Sequence, residues 1–163
     1  MRPFESLVAR VNDSVRILVV LAYAALIVNV SAAVFFRYVM NSSLVWAEEL
    51  ARYLFVWITF LAAGLGAGKN IHIGMDYLLV KLRDPAQRWA QIAINSGVLV
   101  FLCVLIVVGL QLAEFGTRSP SMLLGVRMSY VYAAVPVGAL VMLLNVALVT
   151  MRLLAETSPG GRR

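Results

Sequence analysis

The sequence has one cysteine and one histidine in 163 residues, and only eight acidic side chains. A lone cysteine, Cys103, cannot close an intrachain disulfide, and the chain lacks any cysteine spacing of the metal-binding kind. Lying inside an apolar run, Cys103 reads as a small buried hydrophobe. With His72 as its sole histidine, the chain cannot by itself hold haem between two imidazoles. Charge is equally sparse. Asp, Glu, Lys and Arg make up 13% of the residues, against about 25% in a soluble domain. These shortages leave no catalytic constellation, no cofactor site and no metal site, and they argue against a membrane enzyme or redox protein.

What fills the chain instead is apolar sequence, with a mean hydropathy of +0.89. A chain this short cannot bury so much apolar surface in one water-soluble core. Four long runs stand out, at about 15–36, 50–68, 89–112 and 130–151. Each has the length of about 20 residues that a bilayer core requires. None alternates with period two, as barrel strands would, and helices satisfy their backbone hydrogen bonds internally in lipid. The expected fold is therefore an all-α membrane protein with four transmembrane helices. The first run is preceded by Arg10 and Arg16 and contains Val30-Ser31-Ala32, which loosely resembles a signal-peptide cleavage site. Its length exceeds the usual 7–15-residue signal core of secreted proteins, so it is expected to stay as a membrane helix.

The net charge of +6 does not point to nucleic acid, because the basic residues lie between and beyond the apolar runs. They set orientation. With both termini in the cytoplasm, Arg2, Arg10, Arg16, Lys69, Lys81, Arg83, Arg88, Arg152, Arg162 and Arg163 fall inside, while Arg37, Arg52, Arg118 and Arg127 fall outside. Ten against four obeys the positive-inside rule. Trp46 and Trp89 stand at segment ends, where indoles favour the headgroup level.

The segment between the second and third runs carries its own pattern. Ile71, Met75, Leu78, Leu79 and Leu82 fall on one helical stripe, which predicts an interfacial amphipathic helix at about 71–82. Asp84-Pro85 reads as an N-cap followed by proline in the first turn, so the third helix is expected to begin near Pro85. Gly116, Ser119, Pro120 and Gly125 mark the last loop as irregular. Residues 1–157 are expected to form one membrane domain, with 158–163 a flexible tail.

Chemistry concentrates in Trp46-Ala47-Glu48-Glu49-Leu50-Ala51-Arg52. Glu48 and Glu49 stand four and three residues before Arg52, spacings that permit contact on a helix, and carboxylates suit a helix start. Arg37, closing the first run on the same side, lies within reach of the cluster. The plain reading is a capped helix end with an interfacial ion pair; the functional one is a polar contact with a partner or a neighbouring helix. Gly64-Leu65-Gly66-Ala67-Gly68 superficially suggests a nucleotide-binding turn, but no strand precedes it. Gly64-x-x-x-Gly68 reads as a helix-packing face. His72 and Asp76, one turn apart, form a local pair or an interfacial polar face. Asn29, Ser31, Asn95, Ser96, Gln111 and Asn145 are expected to bond between helices. The deep parts of the runs contain no acid or base, which argues against a proton-coupled antiporter.

Arg37-Tyr38, Ser42-Ser43, Trp46-Ala47-Glu48-Glu49, Arg52 and Trp57, followed by Gly64 through Lys69-Asn70-Ile71-His72-Ile73 and Asp76, closely resemble the small membrane subunit of tripartite ATP-independent periplasmic (TRAP) transporters, the DctQ family. The motif covers about residues 37–76, and the four-run layout matches over nearly the whole chain. The resemblance implies a bacterial inner-membrane protein that pairs with a large membrane subunit carrying substrate and sodium sites. It also implies a periplasmic substrate-binding protein that delivers an organic acid, such as a dicarboxylate or sialic acid. On this footing the small subunit is a static, lipid-anchored scaffold that contributes to docking the binding protein. The competing expectation is a self-sufficient small transporter acting as a homo-oligomer.

Overall fold

The computed structural model describes residues 2–70 and 84–156. Helix α1 spans Arg2–Tyr38, α2 Val45–Asn70 and α3 Asp84–Phe115; a 3-10 turn, Gly116–Arg118, leads through a loop to a one-turn helix α4, Ser129–Tyr132, and then to α5, Ala134–Glu156. Four stretches are long and apolar enough to cross a membrane: Phe4–Tyr38, Val45–Ala67, Ile92–Arg118 and Ser129–Arg152. The protein is a multi-pass, all-α membrane protein. The helices overrun the apolar runs, because a helix continues past the hydrocarbon wherever no breaker stops it. The interfacial helix expected at 71–82 lies outside the described residues, as does the tail at 158–163.

Local chemistry sets the ends. Helix α1 stops where Asn41 takes a left-handed conformation (φ 47°), which asparagine tolerates better than most residues. The Ser42 amide then reaches back to the Phe36 carbonyl at 3.1 Å. That return satisfies one of the carbonyls a helix end leaves open. Arg37, in the last turn, complements the dipole. Helix α3 begins at Asp84 with Pro85 next, where a missing N–H removes no helical bond.

Helix α5 is the hub of the packing. Helix α5 packs against both α2 and α3; α1 packs against α2 and meets α5 over a shorter stretch. Burial follows from this packing: 44% of the α5 span is buried, against 6% for α1 and 17% for α3. One apolar cluster joins Val15 of α1, Leu61 of α2 and Val141 of α5, with Trp57 and Leu65 against it. A second joins Leu102 of α3 to Ala139 and Val146 of α5.

Glycine sets the α2–α5 distance. A Cβ on Gly138 would stand 2.6 Å from the Phe60 Cβ and 2.8 Å from its carbonyl oxygen; one on Gly64 would stand 2.8 Å from Val141 Cγ1. Neither contact is possible for a real side chain, so the helices owe their closeness to both glycines. This is the small-residue packing that lipid-embedded helices use. Cys103 is exposed on α3, contrary to the expected burial. In a membrane protein the outer surface is as apolar as the core, so hydrophobicity alone does not assign a residue to the inside.

Candidate functional site

The Glu48-Glu49 pair stands near the start of α2, and the two carboxylates diverge. Glu48 meets Arg37 of α1 at 3.9 Å, with both side chains more than 60% exposed. Glu49 is buried, 8% exposed. Its carboxylate accepts the Ser121 hydroxyl at 2.6 Å, the Leu124 amide at 3.1 Å, the Leu123 amide at 3.3 Å and the Tyr53 hydroxyl. A carboxylate offers about four lone-pair sites, and here four donors converge on it. Arg52 stands exposed and forms no ion pair among the described residues, so neither local spacing to Arg52 is used.

Tyr53 donates from α2 itself, and the other three donors come from a tight loop. Pro120 and Arg127 face each other in a single antiparallel bridge. The Ser121 amide bonds the Val126 carbonyl at 2.8 Å, and the Met128 amide bonds Ser119 at 3.2 Å. Gly125 turns the chain at φ 64°, a conformation other residues resist. The loop thus has the form of a small hairpin, more ordered than its composition suggests. Gly116 lets it start close to the bundle, since a Cβ there would lie 2.7 Å from the Ser129 nitrogen. At the tip Met122 is 99% exposed, with Leu123 beside it also exposed. Trp57 fixes the return by donating to the Tyr130 carbonyl at 3.2 Å.

A further bond closes the α1–α2 junction: buried Asn29 donates to the Ala47 carbonyl at 2.8 Å. Trp46 sits beside it, exposed. Between α1 and α2 a cleft of about 200 Å³ is rimmed by Arg37 and Glu48 and floored by Ala33, Ala47 and Ala51.

The opposite end carries a second polar constellation. Asn12 of α1 and Asn145 of α5 exchange two amide bonds, at 2.8 and 2.9 Å. Asn145 also donates to the Gly64 carbonyl at 3.2 Å and the Val141 carbonyl at 3.0 Å. One side chain so joins three helices. Beyond it Arg152 Nε meets Glu5 at 3.2 Å.

The expected polar residues thus have mixed fates. Asn29 and Asn145 bond between helices. Ser96 returns its hydroxyl to Ile92 of its own helix, and Asn95 is 1% exposed with its Nδ2 unpartnered among the described residues. Ser31 and Gln111 are exposed. Gly64 packs against α5, while the surroundings of Gly68 and the side chain of Trp89 fall outside the described residues, as do His72 and Asp76. Sequence reasoning missed Ser121, Tyr53, Asn12 and Gly138. Tyr53 had a signal, standing one helical turn after Glu49; Ser121 and Gly138 had none, because their partners are far away in the chain. Among the described residues, no group of three or more His, Cys, Asp and Glu side chains gathers as a metal site would require.

Comparison with known proteins adds a family. The family model described as "Tripartite ATP-independent periplasmic transporters, DctQ component" matches residues 26–156. The chain is 26% identical over 132 residues to the sialic acid TRAP transporter small permease protein SiaQ of Vibrio cholerae, covering 81% of this chain and 76% of that protein. It is 34% identical over 105 residues to the C4-dicarboxylate TRAP transporter small permease protein DctQ of Rhodobacter capsulatus, covering 61% of this chain and 45% of the relative. A third similarity, 28% over 114 residues, is to the sialic acid TRAP transporter permease protein SiaT of Haemophilus influenzae, and it spans 69% of this chain but 18% of that one.

Proposed function

This chain belongs to the DctQ component family of tripartite ATP-independent periplasmic transporters, and from that premise we propose that it is the small scaffold subunit of a sodium-coupled, binding-protein-dependent importer of organic acids. The observation that carries the reading is the apolar outer surface of the helices. Helices α1 and α3 turn long apolar surfaces outward. Ile17, Leu21, Val28 and Val34 on α1 and Val100, Phe101, Val104 and Val108 on α3 are all exposed. Lipid suits such a surface, and so does a large membrane partner. The similarity to a short part of the longer SiaT chain supports a large partner lying beside this unit.

In this reading the protein sits in the bacterial inner membrane with both termini in the cytoplasm, as the charge bias favours. The Glu49 end then faces the periplasm, and the hairpin tip at Met122 and Leu123 offers the binding protein a docking point. Arg37, Glu48 and Arg52 supply exposed charge at the same end, with Trp46 at the headgroup level. The segment holding His72 and Asp76 adds an interfacial anchor on the cytoplasmic side. The substrate is a dicarboxylate or a sialic-acid-like anion, after the names of the relatives.

Affinity purification from native membranes in mild detergent tests the assignment, with recovery of a large multispanning protein as the expected result. Proteoliposomes then separate the roles. Uptake of the organic acid under a sodium gradient is expected only when large subunit, small subunit and binding protein are all present. Uptake by this chain alone sinks the scaffold assignment in favour of a self-sufficient homo-oligomeric transporter.

A further inference from the structure

A cavity of about 390 Å³ opens among α1, α2 and α5 at the Asn145 end, within the range of about 300–1,000 Å³ typical of ligand clefts. Three charged side chains line it, Glu5, Arg16 and Arg152, together with Asn12 and Asn145. Its remaining walls are small or apolar, among them Leu65 and Leu148. All three charged residues fall within stretches apolar enough to cross a membrane. We propose that this cavity holds the phosphate of a phospholipid headgroup between Arg16 and Arg152.

The charge balance carries the inference. The lining has two guanidinium groups against one carboxylate. Arg16 has a partner outside the cavity lining, Asp13, but the contact is 3.7 Å and both side chains are at least 60% exposed, so the pair is weak. Glu5 takes Arg152 through Nε at 3.2 Å; a guanidinium carries five N–H donors, and one acceptor leaves most of them to spend. Asn12 and Asn145 satisfy each other and so are poor anchors for a ligand; they form a floor. What the cavity lacks is one negative charge with several acceptor oxygens, placed among apolar walls. A cation on a membrane-spanning helix is stabilised by reaching a headgroup, and a phosphate accepts from two arginines at once. The apolar walls select a lipid over a free anion.

Native mass spectrometry of the full chain in detergent tests this. The probes are phosphatidylglycerol, phosphatidylethanolamine, a phosphate-free glycosyl diacylglycerol with the same acyl chains, and inorganic phosphate. Wild-type protein is expected to retain the two phospholipids under activation that strips the glycolipid. The double variant Arg16→Gln/Arg152→Gln should lower that retention roughly tenfold, the effect of losing a charge-assisted contact, while Arg16→Lys/Arg152→Lys keeps most of it and Arg118→Gln, at the far end, changes nothing. Equal retention of the glycolipid overturns the proposal, as does unchanged retention in the double Gln variant. Displacement of phospholipid by millimolar inorganic phosphate alone overturns the lipid source. Should the double variant fail to fold by circular dichroism, the wild-type comparison of phospholipid with glycolipid still decides.

Discussion

Glu49 and Ser121 stand 72 residues apart and meet at 2.6 Å, so the second helix holds the loop between α3 and α4 from near its own start. The same carboxylate takes two consecutive loop amides. It therefore acts as the template on which the hairpin 119–128 is built, rather than as a free surface charge.

Replacing Glu49 should loosen the hairpin more than any single loop substitution. Glu49→Ala removes the acceptor for all four donors, Glu49→Gln keeps part of it, and Ser121→Ala removes one donor. Hydrogen exchange at Leu123 and Leu124 should accelerate in that order, largest first, while amides in the middle of α5 keep their protection. Uniform exchange across the three variants would count against the template role.

Glu48 should behave differently. Its pair with Arg37 is long and solvent-exposed, and such pairs contribute about 0–1 kcal/mol. Glu48→Arg should leave thermal stability of the isolated subunit nearly unchanged. Under the proposed function it lowers recovery of the large partner on purification. Comparing melting in detergent with co-purification yield checks both halves.

The α2–α5 contact should tolerate nothing at Gly138. Gly138→Ala places a methyl against the Phe60 backbone, and overpacking of this kind costs about 1–3 kcal/mol. Gly66, also on α2, has nothing within 4 Å of its would-be Cβ. Gly66→Ala should be neutral or stabilise by up to about 1 kcal/mol, from helix propensity alone. Unfolding in mixed micelles measures the pair.

Asn12 and Asn145 should prove coupled. Bonds between membrane helices contribute about 0.6–2 kcal/mol. Asn145→Ala forfeits its bonds to three helices, and Asn12→Ala only the one exchange. A double-mutant cycle should show coupling of about 1 kcal/mol. Asn12→Leu/Asn145→Leu should recover part of the loss, since removing both partners leaves no orphaned amide. Additive single effects would refute the clasp.

The sequence makes the helices easy to see and their arrangement hard. Runs of apolar residues announce themselves because each needs only its own composition to cross a bilayer. The start of α3 at Asp84-Pro85 was legible for the same reason, being local capping chemistry. Glu48 and Glu49 look equivalent on paper; what separates them is a loop that begins some seventy residues later, and nothing near the start of α2 encodes it. Asn12 sits outside the apolar run read from the sequence, so its bond to Asn145 could not be paired in advance. Gly138 resembles any glycine in a membrane helix until Phe60 is placed against it.

The central place of α5 has a consequence for how the protein is made. Helices α1 and α2 can pair as soon as both have entered the membrane. Helix α3 meets its main neighbour only when α5 arrives, and α5 follows it out of the ribosome. Between those events α3 waits in lipid with its packing face uncovered. A chain cut short before Ala134 leaves α3 in that state permanently, open to capture by other membrane proteins or by the proteases that clear orphaned helices. The twenty-three residues of α5, Ala134–Glu156, thus decide whether the three long helices before them become one body.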